Sequence, residues 1–193
     1  MRVVIGDATS SEAVAKVVDG SGVVFSESGR HPALLSTQYI SICEHVSANV
    51  VRTLGTHQSL QHAVVPITRM YRPSDRGLTP WNRDSSPVLR LAHRADFIDR
   101  DREAVVLEAN ALNWTLIRPS VLVDGLAGHY AGHREAISGL WTSRVAVADF
   151  AIRVSADPLL ERTAPFISSS GPRSWVLPAI PRLIEYVGSE LPI

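Results

Sequence analysis

Three features of the 193-residue sequence predict an α/β fold with a mostly parallel sheet. Short runs rich in valine and isoleucine, near residues 2–6, 22–26, 62–68 and 114–118, have the composition of buried strands. Stretches with helical periodicity separate these runs, and Gly, Ser or Pro follows most of them. Strands that alternate with helices favour parallel pairing, because each helix carries the chain back to the start of the next strand.

The composition predicts one globular domain over residues 1–193, with residues 170–193 as a C-terminal extension. The 19 basic and 19 acidic residues balance, so charge gives no argument for a nucleic-acid or membrane partner. The single cysteine, Cys43, cannot form an internal disulfide and fits a reducing compartment. No signal peptide or membrane span is visible, so we expect a cytoplasmic protein.

The first elements have clear boundaries in the sequence. The strand near 2–6 ends at a Gly-Asp pair, and Thr9 and Glu12 then predict a capping box at the start of a helix. Gly20 is expected to end this helix before the second strand, near 22–26.

The next elements are a long helix and a strand. Apolar residues recur every three or four positions over residues 32–54, and Gly55 follows at the C-terminal cap position. Pro66 lies inside the strand near 62–68, where it predicts a local fault in the ladder.

Residues 70–87, rich in proline and in Asp/Arg pairs, predict a loop over the site. A helix over residues 88–111 follows, with a break expected near Asp96. Further elements are predicted after it: a strand at 114–118, a glycine-rich hairpin over 125–139, a helix that begins within 141–150, a last strand at 166–169 and a tail helix at 181–188.

The segment NWTLIRPSVLVDG, residues 113–125, resembles a segment of atypical short-chain dehydrogenases, the NmrA-like and biliverdin/flavin-reductase-like NAD(P)-binding proteins. The resemblance covers residues 2–170 in order. It implies a Rossmann-like sheet in which residues 2–6 correspond to the family's third strand. It also implies NAD(P) as cofactor.

The family's first strands and its G-x-x-G-x-x-G turn have no counterpart in the sequence. That turn lets the backbone approach the cofactor pyrophosphate. Losing two or three charge-assisted hydrogen bonds, at roughly 1.5–3 kcal/mol each, weakens binding by orders of magnitude. We therefore expect NAD(P) binding by this chain to be weak or absent.

The Tyr-x-x-x-Lys pair of ordinary short-chain dehydrogenases is also missing. The only lysine is Lys16, and the family's tyrosine and lysine positions fall near Asp96 and Arg100. The strongest sign of carbonyl reduction is therefore absent.

The resemblance implies roles for residues at the predicted carboxyl ends of the strands, each of which also has a plain structural interpretation. His129 and His133 lack helical context and a third ligand, so no metal site is predicted. The implied catalytic residues are Thr68 and Ser120; the cofactor-binding residues are Asp7, Ala8, Gly29, Thr68, Pro119 and Ser120; the substrate-binding residues are His129, Tyr130 and His133.

Two functions follow. The first is an NAD(P)H-dependent oxidoreductase acting on a small aromatic or quinone-like molecule. The second is a cofactor-free small-molecule-binding or regulatory module, or an isomerase or cyclase, that uses the old substrate cleft. In both cases Thr68, Ser120 and residues 125–133 should converge on one pocket. The missing strands should expose an apolar face, so we expect a homo-oligomer that binds a small molecule and neither nucleic acid nor membrane.

Overall fold

The computed structural model describes residues 3–28, 41–55, 62–66, 94–125, 129–133 and 141–170. These residues form strands, four helices and a short 3-10 turn. The strands are β1 (Val23–Phe25), β2 (His62–Pro66), β3 (Trp114–Pro119), β4 (Val121–Val123), β5 (His129–His133), β6 (Trp141–Ser143) and β7 (Phe166–Ser170). The helices are α1 (Ser11–Val18), α2 (Ile42–Gly55), α3 (Arg94–Glu108) and α4 (Arg144–Val154), and the 3-10 turn is Pro158–Leu160.

The main sheet of the described residues has the strand order β1-β2-β3-β7-β5, and its first four strands are parallel. β5 runs antiparallel to β7 at one edge, while β4 and β6 pair in a separate two-stranded sheet. Strands predicted near 22–26, 62–68, 114–118 and 166–169 are thus confirmed, as is the parallel pairing of the first three. The fold is a small Rossmann-like α/β sheet.

The predicted strand near residues 2–6 is wrong. Val3 and Ile5 are 70% and 97% exposed, and residues 3–5 pair with no described strand. In the order 3-2-1-4 of a complete Rossmann sheet, two other strands separate the third from the fourth. Residues 3–5 therefore have the composition of a strand but form none, because no described strand lies beside them as a hydrogen-bonding partner.

The capping box predicted at Thr9 and Glu12 is also wrong. Asp7 Oδ1 accepts hydrogen bonds from both the amide and the hydroxyl of Thr9, at 2.8 Å each. The N-cap therefore moves to Ser10, whose hydroxyl accepts from Ala13 N, and Glu12 instead pairs with a lysine one turn later. The predicted stop is confirmed at Gly20, whose φ of +74° suits glycine.

The two central helices lie within their predicted ranges. α2 covers the C-terminal part of the helix predicted over 32–54 and includes Gly55, while residues 32–40 lie outside the described part. α3 is continuous from 94 to 108, so the break predicted near Asp96 is wrong. The loop at 70–87 and the tail helix at 181–188 also lie outside the described residues.

The hydrophobic core lies on both faces of the sheet because β3 alternates between them. Leu116 packs with α3 residues on one face, and Ile117 packs with Phe150 and Val154 of α4 on the other. α1 packs against α2 through Val18. Helices therefore cover both faces of β3, and its carboxyl end lies at the edge of the sheet between the two layers of helices.

None of the described helices combines the length and the apolar character that a membrane crossing requires.

Candidate functional site

The carboxyl ends of the parallel strands share one edge of the sheet. Residues 26–28 follow β1 there, and Pro119 and Ser120 lie at the end of β3. Ligands of open α/β sheets bind outside this edge. Thr68 and Gly29, which the sequence also places at this edge, lie outside the described residues.

Ser120 joins three strands at this edge. Its amide donates to Ile167 O at 3.2 Å and to Thr142 Oγ1 at 3.1 Å, and its hydroxyl donates to Ile167 O at 3.4 Å. The Thr142 hydroxyl donates to the same carbonyl at 2.9 Å. Ser120 is buried, and its polar groups join the end of β3 to the middle of β6 and to the first part of β7.

The histidines of the predicted substrate segment lie at opposite ends of β5. His129 pairs with Ser170, at the carboxyl end of β7, and His133 pairs with Phe166 at its start. Their Cα atoms are therefore roughly 13 Å apart along the strand. Ser120 binds Ile167, which pairs with Gly132, so the end of β5 at His133 lies level with Ser120. His129 lies further along, beside the carboxyl end of β7. The structure does not bring the two histidines together.

Tyr130, between them, faces α4. Its hydroxyl donates to Asp149 Oδ2, and its ring meets that of Phe150 edge-on at a centroid distance of 6.1 Å. Burial and then this hydrogen bond raise the pKa of Tyr130, while the bond from Tyr130, aided by Arg153, lowers the pKa of Asp149. The phenol thus stays protonated at neutral pH and anchors β5 to α4.

The turn that contains Ala8 contacts α2. The Ala8 and Thr9 carbonyls accept from Asn49 Nδ2 at 3.4 and 2.8 Å. Asn49 is six residues beyond Cys43, which contacts the end of β1, so the turn lies about 9 Å further along the helix. Ala8 thus contacts the middle of α2, whereas Ser28 lies beside its first turn.

A buried polar network between α2 and α3 was not predicted from the sequence. Asp99 Oδ2 and Oδ1 accept from the amides of Cys43 and Glu44, at 2.9 and 3.0 Å. Asp99 is 1% exposed. A carboxylate from α3 therefore caps the N-terminus of α2, which lies beside the carboxyl end of β1.

Arg100 and Glu103 extend this network to β1. Arg100 Nη2 donates to Ser28 O, and Nη1 donates to Glu103 Oε2 at 2.9 Å. Glu103 Oε1 accepts from the Ser47 hydroxyl at 2.9 Å. Burial raises the pKa of Glu103, opposed by Arg100 and Ser47.

Cys43 completes the network from the α2 side. Its thiol donates to Ser28 O at 3.6 Å, and burial raises its pKa to about 12. The thiol is therefore neutral, and a neutral, buried thiol is unreactive.

The spacing of four residues between Cys43 and Ser47, matched by that between Asp99 and Glu103, is the sequence signal for this network. It places polar groups on one face of each helix. No local rule pairs those faces, because the bonded residues Cys43 and Asp99 are 56 positions apart in the sequence.

The N-termini of α2 and α4 do not fit the diphosphate of a dinucleotide. A diphosphate binds to backbone amides at a helix N-terminus. The first amides of α2 already bind Asp99, and Ala146 N of α4 already binds the Ser143 hydroxyl at 3.0 Å. Among the described residues, no three His, Cys, Asp or Glu side chains group so that they could hold a metal ion.

Comparison with solved structures shows the same fold in several oxidoreductases. The oxidoreductase YlbE of Lactococcus lactis superposes with a TM-score of 0.67 at 14% identity, over 95% of this chain and 78% of that one. ChuY, an anaerobilin reductase of Escherichia coli O157:H7, gives 0.65 at 16% identity, over 88% and 77%. A short-chain dehydrogenase/reductase of Veillonella parvula in complex with NADP gives 0.58 at 19%, over 86% and 71%.

No curated protein matches the sequence. Residues 1–158 match the profile of the NAD(P)H-binding family. This match covers most of the chain, so the protein belongs to the NAD(P)H-binding family.

Proposed function

We propose that the protein is an NAD(P)H-dependent oxidoreductase-like protein that acts on a small aromatic or quinone-like molecule. The observation that carries this proposal is the parallel arrangement of β1, β2, β3 and β7 in a chain of the NAD(P)H-binding family. It brings residues 26–28 and Ser120 to one edge of the sheet, where such folds bind ligands.

The structural neighbours give the proposal its chemistry. One was solved with NADP, and another is named as an anaerobilin reductase. Both support a nicotinamide cofactor and a reduction for this chain. Thr68, Pro119 and Ser120 are proposed to border the nicotinamide, with His129 and His133 on the substrate side.

The proposed affinity for the cofactor is low. The sequence has no glycine-rich turn, and the N-termini of α2 and α4 already bind side chains. The loss of the hydrogen bonds to the diphosphate amounts to about 3–9 kcal/mol. A dissociation constant on the order of millimolar is expected in place of a micromolar one.

The test is oxidation of NADPH and NADH, followed by absorbance, with a panel of para-quinones and aromatic aldehydes. Ser120→Ala should lower kcat/KM by about tenfold or more, because it removes a hydroxyl at the reacting edge. Ser155→Ala is the matched control; that hydroxyl bonds Ile152 O at the far end of α4 and should leave turnover unchanged. Wild-type protein that oxidises neither cofactor with any acceptor contradicts the proposal.

The second candidate is a cofactor-free binding or regulatory module, or an isomerase or cyclase, in the same cleft. Asp99 favours it, because this carboxylate occupies the helix N-terminus at the ligand edge. Under this alternative, Thr68→Ala or His129→Ala should weaken ligand binding by the chain as it is. Under the oxidoreductase proposal, Thr68→Ala should instead impair turnover, and only when NAD(P)H is supplied.

A further inference from the structure

The turn after β1 is held from two sides by side chains of α2 and α3. The carbonyl of Ser28 accepts from Arg100 Nη2 and from the Cys43 thiol. A backbone carbonyl with two side-chain donors is fixed more firmly than one exposed to water. Residues 26–28 lie at the carboxyl edge, so their position shapes that edge.

Arg100 is itself fixed in place. Its side chain is 13% exposed, and its ion-pair partner Glu103 is fully buried and also bound to Ser47. The planar guanidinium donates to two acceptors at once, which lysine cannot do in the same geometry. The neighbouring residue, Asp99, caps α2, so the same turn of α3 holds both the start of α2 and the end of β1.

We propose that Arg100 is a positioning residue: by bridging Ser28 O and Glu103 it fixes residues 26–28 against α2 and keeps the ligand-binding edge of the sheet preformed. The expected effect on cofactor affinity rests on the function proposed above. The expected effect on the position of Ser28 does not depend on that function.

The sole cysteine provides the readout for that position. Cys43 is 3% exposed and bound to Ser28 O, so a thiol reagent reaches it only after the Ser28 turn opens or the protein unfolds. Labelling in native buffer therefore measures opening of this turn, provided that global stability is measured in parallel by urea unfolding.

Arg100→Ala should raise the Cys43 labelling rate by roughly tenfold or more. Arg102→Ala is the control on the same helix; Arg102 is 53% exposed with a 3.5 Å contact to Glu44, and its loss should leave the rate unchanged. Val154→Ala, on the opposite face of the sheet, reports the effect of general destabilisation.

Arg100→Ala leaves Glu103 buried without its cation, so the double variant Arg100→Ala/Glu103→Gln serves as the second probe. It removes both charges and should label as fast as the single variant. A wild-type rate in either variant overturns the proposal. So does a rate that rises equally in Val154→Ala at matched unfolding free energy, because Arg100 then acts only on global stability.

An NADPH titration followed by nicotinamide fluorescence completes the experiment. Arg100→Ala should weaken binding about fivefold or more relative to wild type and to Arg102→Ala. Faster labelling with unchanged affinity overturns the link to the ligand-binding edge. Wild-type protein without any NADPH binding contradicts the proposed function, while the labelling rates still decide the role of Arg100.

Discussion

At the scale of single residues, Glu103 is buried beside one cation and one hydroxyl. Burial raises its pKa, so its charged form is less favoured in the folded protein than in the unfolded chain. A carboxyl of this kind contributes stability that is present below its unfolded-state pKa and is lost as the pH rises through its folded-state pKa.

The pH dependence of stability should therefore change in Glu103→Gln. Glutamine can still accept from Arg100 and donate to Ser47, but it does not ionise. As the pH rises from 4 towards 8, the free energy of unfolding of wild type should fall relative to that of the variant. Urea unfolding across this range measures it.

Glu12→Gln is the control with the opposite sign. A hydrogen bond and the charge of Lys16 lower the pKa of Glu12, so wild type should gain stability over this variant as the pH rises through the folded-state pKa. If the free energies of unfolding of wild type and Glu103→Gln change in parallel with pH, the assignment of a raised pKa to Glu103 is contradicted.

Gly132 lies directly against the Phe150 ring of α4. A Cβ at this position would lie 2.5 Å from Phe150 Cε2 and 2.6 Å from its Cζ. Gly132→Ala should cost about 1–3 kcal/mol of unfolding free energy, because the ring or the strand must move. Gly22→Ala, with no atom within 4 Å, is the matched control. Equal stability of the two variants would show that β5 does not pack on α4 in this way.

At the scale of elements, α2 depends on α3 for its first turn. Asp99→Ala removes the acceptor of two amides and should cost about 1.5–3 kcal/mol. Asp99→Asn keeps one carbonyl acceptor and should fall between the alanine variant and wild type. Thermal unfolding orders the three proteins. An asparagine variant as stable as wild type would show that the charge contributes nothing to the cap.

Most elements were predictable because their signals are local. The runs that became β2 and β3, and the periodicity of α2, lie within single segments. The prediction of a strand near 2–6 is wrong because a strand needs a neighbouring strand to bond with. A local sequence pattern does not show whether such a neighbour is present. The N-cap moved from Thr9 to Ser10 because Asp7 competes for the same amide.

The candidate site was predictable in part for the same reason. Ser120 follows a proline that ends a buried strand, so its place at the carboxyl edge could be read from the sequence. Its bonds to Ile167 and Thr142 depend on strands more than twenty residues away. The contacts of Asp99 and Arg100 depend likewise on tertiary packing.

At the scale of the whole molecule, large apolar side chains are exposed on β1 and in the segment before α1. Phe25 is 50% exposed in a strand at the sheet's edge, and Val3 and Ile5 are more exposed still. We expect a homo-oligomer that covers these residues. Light scattering should give more than one chain per particle, and Phe25→Asp should shift the population to monomer. Monomeric wild-type protein at micromolar concentration contradicts this expectation.

We propose that the carboxyl edge binds the nicotinamide part of NAD(P)H and that the chain holds the diphosphate only weakly. The most direct test is an NMR titration of the 21.0 kDa chain with NADPH. We expect the amide resonances of residues 26–28 and Ser120 to shift and to saturate on the order of millimolar. Shifts confined to residues away from this edge, or saturation at micromolar concentration, would contradict it.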